Sequence, residues 1–144
     1  MSQEEKNKAI VKRLIEDCFN GRDLSLLTEL LHPDFVNNQD LLPVHCKKGP
    51  GVFEELYTKM YESFPDIKIH NHLLLAEGDK VIMYDTLTGT NTGPLSDDGT
   101  PATGKKVEYA AFNILRLEDG KVIERWGITD QLSLMQQLGL TDSK

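Results

Sequence analysis

Asp85 is the carboxylate best placed to do chemistry. It shares strand parity with Val81, Met83 and Leu87, so it points to the apolar, interior face of a predicted strand. Burial disfavours the charged form of a carboxylate and raises its pKa, which suits the group to proton transfer near neutrality. The same placement fits a structural aspartate paired with Arg125 or with tyrosine hydroxyls, and both readings stand. Arg125 is in phase with Ile123 and Gly127 on a later strand and projects toward the same interior. A guanidinium there would hold a carboxylate, an ester carbonyl or an enolate oxygen in a planar fork, or else pair with Asp85 or Glu108. Tyr109 and Asn113 share one parity on another strand, and Tyr57 lies on a helix across from them. All three are candidates for orienting a ligand or for satisfied polar positions of the core. Asp130 stands just before the last helix, where an aspartate caps exposed amides or serves as a second acid/base.

Other reactive side chains point to blander roles. His70 and His72 share a strand face, but a metal would need a third ligand, and their alternation with Ile69, Asn71 and Leu73 puts them on the solvent or interface side. No metal site is expected. His45 and Cys46 are adjacent and point to opposite faces of an extended chain, and Cys18 falls on an apolar helix stripe. Both thiols read as structural in a reducing compartment. Trp126 has the opposite parity to Arg125, toward the outer sheet face or a dimer interface.

The elements that position these groups follow from periodicity. Ser2 with Glu5 is a capping box opening a helix to about Asn20, which Gly21 ends in a left-handed conformation. Asp23 caps a short second helix that His32-Pro33 stops, and a third runs from near Pro50 to Phe64. From Asp66 the period becomes two. Ile67, Ile69, Leu73 and Leu75 alternate along one strand, and Glu77-Gly78-Asp79 turns into the strand of Asp85. Residues 92–106 read as a long loop overhanging a cavity mouth. A third long strand spans about Val107 to Arg116, and Asp119-Gly120 makes a tight hairpin into the strand of Trp126. Helices first and antiparallel strands afterwards predict an α+β domain, its helices on one face of a curved antiparallel sheet enclosing a cone-shaped pocket.

The chain has 144 residues, 39% hydrophobic and 27% charged, which fits one domain over residues 1–144 with a core that requires no disulfide or metal. A net charge of −7 argues against nucleic acid or an anionic membrane surface as partner. No apolar run is long enough to span a bilayer, and the polar N-terminus Met1–Lys6 carries no secretory leader, so a cytoplasmic location is expected.

A series of short motifs runs nearly the full length: Asn20-Gly21-Arg22, His32-Pro33-Asp34-Phe35, Gly49-Pro50, Phe64-Pro65-Asp66, Gly89-Thr90-Asn91-Thr92-Gly93, Thr103-Gly104-Lys105, and the closing stretch Leu117–Gly139. In order and spacing they resemble the SnoaL-like polyketide cyclases, of ester cyclase type, within the nuclear transport factor 2-like superfamily. The resemblance implies a cone-shaped α+β fold with an internal pocket for a small, partly apolar carbonyl compound, and a homodimer formed through the sheet. It also implies acid/base ring closure or isomerisation by a pocket aspartate, with no metal or cofactor. Relatives often read Glu-His-Trp-Asp where this chain has Glu124-Arg125-Trp126-Gly127. The family's catalytic aspartate thus falls on Gly127, its accompanying histidine on Arg125 and a further pocket histidine on Asn113. Asn37 matches a polar pocket position and Asp130 an aspartate usual in the family. Asp85, Asp130 and Arg125 are therefore the expected catalytic groups, and Asn37, Tyr57, Tyr109, Asn113 and Gly127 the substrate-binding positions. The competing expectation is a binding or structural module without turnover.

Overall fold

A computed structural model of the chain describes residues 1–38, 44–95 and 100–140. Helix α1 (Gln3–Arg13) starts where the sequence predicts, with the Glu5 N–H donating to the Ser2 hydroxyl at 3.1 Å. It continues into a π-helical segment, Leu14–Asn20, whose Leu14, Ile15, Cys18 and Phe19 are all buried. The reversal that follows differs from expectation. Gly21 stays right-handed (φ −76°), and Arg22 takes the left-handed conformation (φ 61°). Gly21 is required for space, because a Cβ there would overlap the Asp17 carbonyl oxygen. Arg22 is held in place by its guanidinium, which donates to the carbonyls of Pro65 (2.9 Å) and Ile67 (2.8 Å) and lies 4.0 Å over the Tyr61 ring.

Asp23 caps a 3₁₀ turn, Leu24–Leu26, leading into the short α2 (Leu27–Leu30). Further on come α3 (Gly51–Ser63) and α4 (Gln131–Leu138). The strands are β1 (Leu31–Asn37), β2 (Lys68–Glu77), β3 (Lys80–Thr90), β4 (Lys106–Glu118) and β5 (Lys121–Thr129), in the order β1-β5-β4-β3-β2.

Three features correct the expected sheet. His32-Pro33 does not merely stop a helix. It lies inside β1, which runs parallel to β5 and makes the sheet mixed. Proline is tolerated there because β1 is an edge strand and the pairing is irregular between Leu31↔Val122 and Val36↔Glu124. In β2 the register slips between Asn71 and Leu73. That bulge at His72 sends Leu73 and Leu75 to the outer face and turns Leu74 and Ala76 toward the core. In β5 a second slip, beside Ile123, leaves Arg125 and Gly127 inward but takes Ile123 out of phase with them. The β4–β5 hairpin forms as predicted, with Asp119 at φ 54° and Gly120 at φ 75°.

Inward residues stack in rows across the sheet: Asn71–Asp85–Ala111–Thr129, then Leu74–Met83–Asn113–Gly127, then Ala76–Val81–Leu115–Arg125–Asn37. Two side-chain amides fasten helical segments to exposed strand backbone. Asn20 exchanges two 2.8 Å hydrogen bonds with the Ile69 N–H and carbonyl of β2. Gln137 does the same for Glu108 of β4, at 2.8 and 2.7 Å, and so fixes α4 beyond the end of β5. Of the predicted overhanging loop, Leu95 borders the cavity, while residues 96–99 lie outside the described residues.

Candidate functional site

Between the inner sheet face and the helical layer lies a cavity of about 200 Å³. Leu14 and Phe19 of the π-helical segment, Phe53 and Tyr57 of α3, and Leu134 and Leu138 of α4 form much of its apolar wall. The sheet contributes Asp85, Tyr109, Asn113, Arg125 and Thr129. Among the described residues bordering the cavity, Asp85 is the one carboxylate and Arg125 the one cation.

Asp85 is 1% exposed. Its position follows from the regularity of β3, where Val81, Met83, Asp85 and Leu87 are all buried. One carboxylate oxygen, Oδ1, accepts the Asn71 amide at 2.8 Å. The other has no partner among the described residues and opens on the cavity. Burial raises the pKa of Asp85 above its ordinary value, opposed by the Asn71 hydrogen bond and the charge of His72. The expected alternative, a pairing of Asp85 with Arg125 or tyrosine hydroxyls, is replaced by this contact with Asn71.

Arg125 is held at the far side of the sheet. Its Nε donates to Asn113 Oδ1 and its Nη1 to Asn37 Oδ1, each at 2.8 Å, and its guanidinium lies 5.9 Å from the Phe53 ring centre. The parallel pairing Asn37↔Arg125 brings Asn37 into this cluster. Gly127 provides the space: a Cβ there would overlap both the Arg125 guanidinium and Asn113 Oδ1. Tyr57 and Tyr109 are buried with their acidity suppressed by burial, and Tyr57 stacks on Phe53 at 4.9 Å.

Asp130 is placed elsewhere. It is exposed, accepts the Ser133 N–H at 3.1 Å as the N-cap of α4, and is not among the described residues bordering the cavity. Thr129 and Asn71 join the site without having been singled out from sequence. The parity of Thr129 with Arg125 and Gly127, and of Asn71 with Ile69, was the available signal. His70 and His72 sit on the outer face, hydrogen-bonded to Thr88 (2.9 Å) and Thr86 (2.7 Å). The described residues with metal-ligand proximity are His32, Glu118 and Asp119, away from the cavity at the β4–β5 turn. There His32 Nδ1 accepts the Asp34 N–H, which leaves the proton on Nε2, the atom facing Glu118.

The sequence model of the SnoaL-like polyketide cyclases matches residues 9–138. The chain belongs to the SnoaL-like polyketide cyclase family. Aklanonic acid methyl ester cyclase DnrD of Streptomyces peucetius is 26% identical over 131 residues, covering 90% of this chain and 88% of that protein. A candidate SnoaL-like polyketide cyclase from Jannaschia sp. CCS1 superposes with a TM-score of 0.82 at 26% identity, over 99% of this chain and 98% of that one. AclR, a candidate hydroxylase of Streptomyces galilaeus, superposes with a TM-score of 0.81 at 26% identity, over 98% and 89%. At the two positions where the sequence resemblance led to an expected histidine and aspartate, this SnoaL-like chain carries an arginine folded over a glycine.

Proposed function

We propose that the chain is a cofactor-independent cyclase or isomerase acting on a small, partly apolar carbonyl compound held in the cavity. The observation that carries this reading is Asp85, a carboxylate 1% exposed in an apolar wall with one oxygen directed at the cavity. In this reading Asp85 removes and returns a proton beside a carbonyl, and Arg125 stabilises the oxyanion that forms. The residues Asn113 and Asn37 hold the guanidinium, while Tyr57 and Tyr109 border the substrate. Asp85 on β3 is level with Thr129 of β5, so Arg125 lies one strand beyond the intervening β4 and four residues along, roughly 16 Å away at the backbone, with its guanidinium folded back over Gly127. Arg125 therefore meets the developing charge through a ligand conjugated across that gap, with the proton exchanged at one end and the oxyanion held at the other. Family membership and the name of DnrD support ring closure, and the aspartate that serves at position 127 in relatives is replaced here in function by Asp85.

The test is deuterium uptake by 2-acetylcyclohexanone in D₂O, followed by NMR. The wild type should accelerate exchange above buffer, and Asp85→Asn should abolish the acceleration while the protein stays folded. A second reading, binding without turnover, is favoured by the glycine at 127, which transfers no proton. Saturable binding of the diketone with no accelerated exchange, unaffected by Asp85→Asn, would establish it and overturn the first. AclR supports a third chemistry in the same fold, and exchange that depends on Asp85 would set it aside for this chain.

Homodimerisation through the outer sheet face belongs to the proposal. That face carries exposed Leu75, Ile82, Phe112, Ile114, Trp126 and Ile128, an apolar area unlike an ordinary solvent-facing sheet. No helix among the described residues is long and apolar enough to cross a membrane, and both cysteines are free, consistent with the cytoplasmic location proposed here.

A further inference from the structure

Asn71 sits on edge strand β2 directly across from Asp85, as the last residue in register before the bulge at His72. Its Nδ2 donates to Asp85 Oδ1 at 2.8 Å and also to the Leu73 carbonyl at 3.1 Å. The second contact fixes the orientation of the amide, since a flipped side chain would set its own oxygen against a carbonyl oxygen. Asn71 is therefore a donor to Asp85 and cannot accept from it. Oδ1 is reserved as an acceptor in both protonation states of the carboxyl group. A carbonyl oxygen accepts more strongly than a hydroxyl oxygen, so this bond favours the proton on Oδ2, the oxygen that opens on the cavity.

We propose that Asn71 is the positioning residue of this site, favouring one oxygen of Asp85 as carrier of the exchangeable proton and holding it toward the ligand. The proposal rests on Asp85 being the acid/base, and deepens that reading. The bulge is what makes the arrangement possible. It ends the inward phase of β2 at Asn71, bends the strand, and brings the Leu73 carbonyl within reach of the amide. Other ionisable groups near Asp85 are His72 of β2, Tyr57 of α3, Tyr109 of β4 and Arg125 of β5, with Cys18 of the π-helical segment beside Tyr57. Of these His72 acts on Asp85 through its charge, whereas Asn71 acts through a hydrogen bond to one named oxygen.

The experiment is the titration of the Asp85 side-chain carboxyl carbon by NMR in the wild type, Asn71→Leu and Asn71→Asp, with no ligand present. Asn71→Leu removes a donor to the charged form and should raise the Asp85 titration midpoint by about one unit. Asn71→Asp, nearly isosteric, sets a second carboxyl against Oδ1 and should raise it further. A His72→Gln control should shift the midpoint less than Asn71→Leu. Asn71 is exposed, so these changes leave the core intact. In the exchange assay, Asn71→Leu should lower the rate at saturating 2-acetylcyclohexanone with little change in half-saturation, and move the pH profile with the titration. An Asp85 midpoint that is unchanged or lower in Asn71→Leu overturns the proposal. In that event an Asp85→Asn variant that still loses exchange shows that the acid/base reading itself survives.

Discussion

Gly127→Ala adds one methyl group directly against the Arg125 guanidinium. Built on the present backbone, that Cβ overlaps Arg125 Nη2 and Asn113 Oδ1 and lies 2.7 Å from Arg125 Cζ. Carbon atoms in contact prefer about 3.5–4.0 Å, so the guanidinium must retreat by about 1 Å. Its 2.8 Å bond from Nε to Asn113 cannot survive that movement. A hydrogen bond to a charged group contributes about 1.5–3 kcal/mol. Against this, alanine stiffens the unfolded chain by about 0.4–1 kcal/mol, and Gly127 is not among the glycines with positive φ, so no backbone strain is added. The net expectation is destabilisation by about 1.5 kcal/mol, or roughly 5 °C in Tm for a chain of this size. Urea unfolding of the wild type, Gly127→Ala, Asn113→Ala and the double variant measures it. In the Asn113→Ala background the alanine should cost under about 0.5 kcal/mol, giving a coupling of about 1 kcal/mol. A neutral or stabilising Gly127→Ala, or an equal cost in both backgrounds, would refute the claim that Gly127 exists to seat the guanidinium.

Asp85→Asn should be more stable than the wild type at neutral pH. Because the folded state raises the Asp85 pKa, the native protein binds the extra proton, and its stability falls as pH rises from the unfolded value of 3.8 through the folded one. Urea midpoints of the two proteins should therefore converge in acid and separate toward pH 7, and a constant difference would contradict the burial argument. Asp130→Ala should cost about 1 kcal/mol by removing the cap of α4, whereas Asp130→Ser should retain both stability and deuterium exchange. Loss of exchange in Asp130→Ser with the cap intact would return Asp130 to the chemistry. The wild type should sediment as a dimer and Trp126→Glu, on the outer face, as a folded monomer, and an unchanged sedimentation coefficient would count against association through the sheet.

What could be read from the residues depended on how regular each strand is. On β3 simple alternation placed Asp85 inward, and on β4 it placed Tyr109 and Asn113 there, because neither strand slips against its partner in that stretch. On β2 the same rule fails after Asn71, since a single extra residue at His72 inverts every side chain beyond it. On β5 the slip beside Ile123 happens to spare the phase of Arg125 and Gly127. The cluster around Arg125 was legible only in part. Its inward direction follows from parity, but its contact with Asn37 needs a parallel strand that Pro33 disguises as a loop. The capping roles of Ser2, Asp23 and Asp130 were visible because they are local, each closing over two or three residues. Asn71 was in phase with the interior, yet its meeting with Asp85 depends on a register between strands that no pattern within one strand contains.

The overlap above Gly127 also constrains what can stand at position 125. Arginine at position 125 holds this pose only above a bare backbone, because any side chain at 127 occupies the guanidinium's place. In the same way, aspartate at 127 displaces the guanidinium from the pose it has here. The two positions therefore behave as one unit, and the pose of Arg125 is conditional on the residue two places further along its own strand.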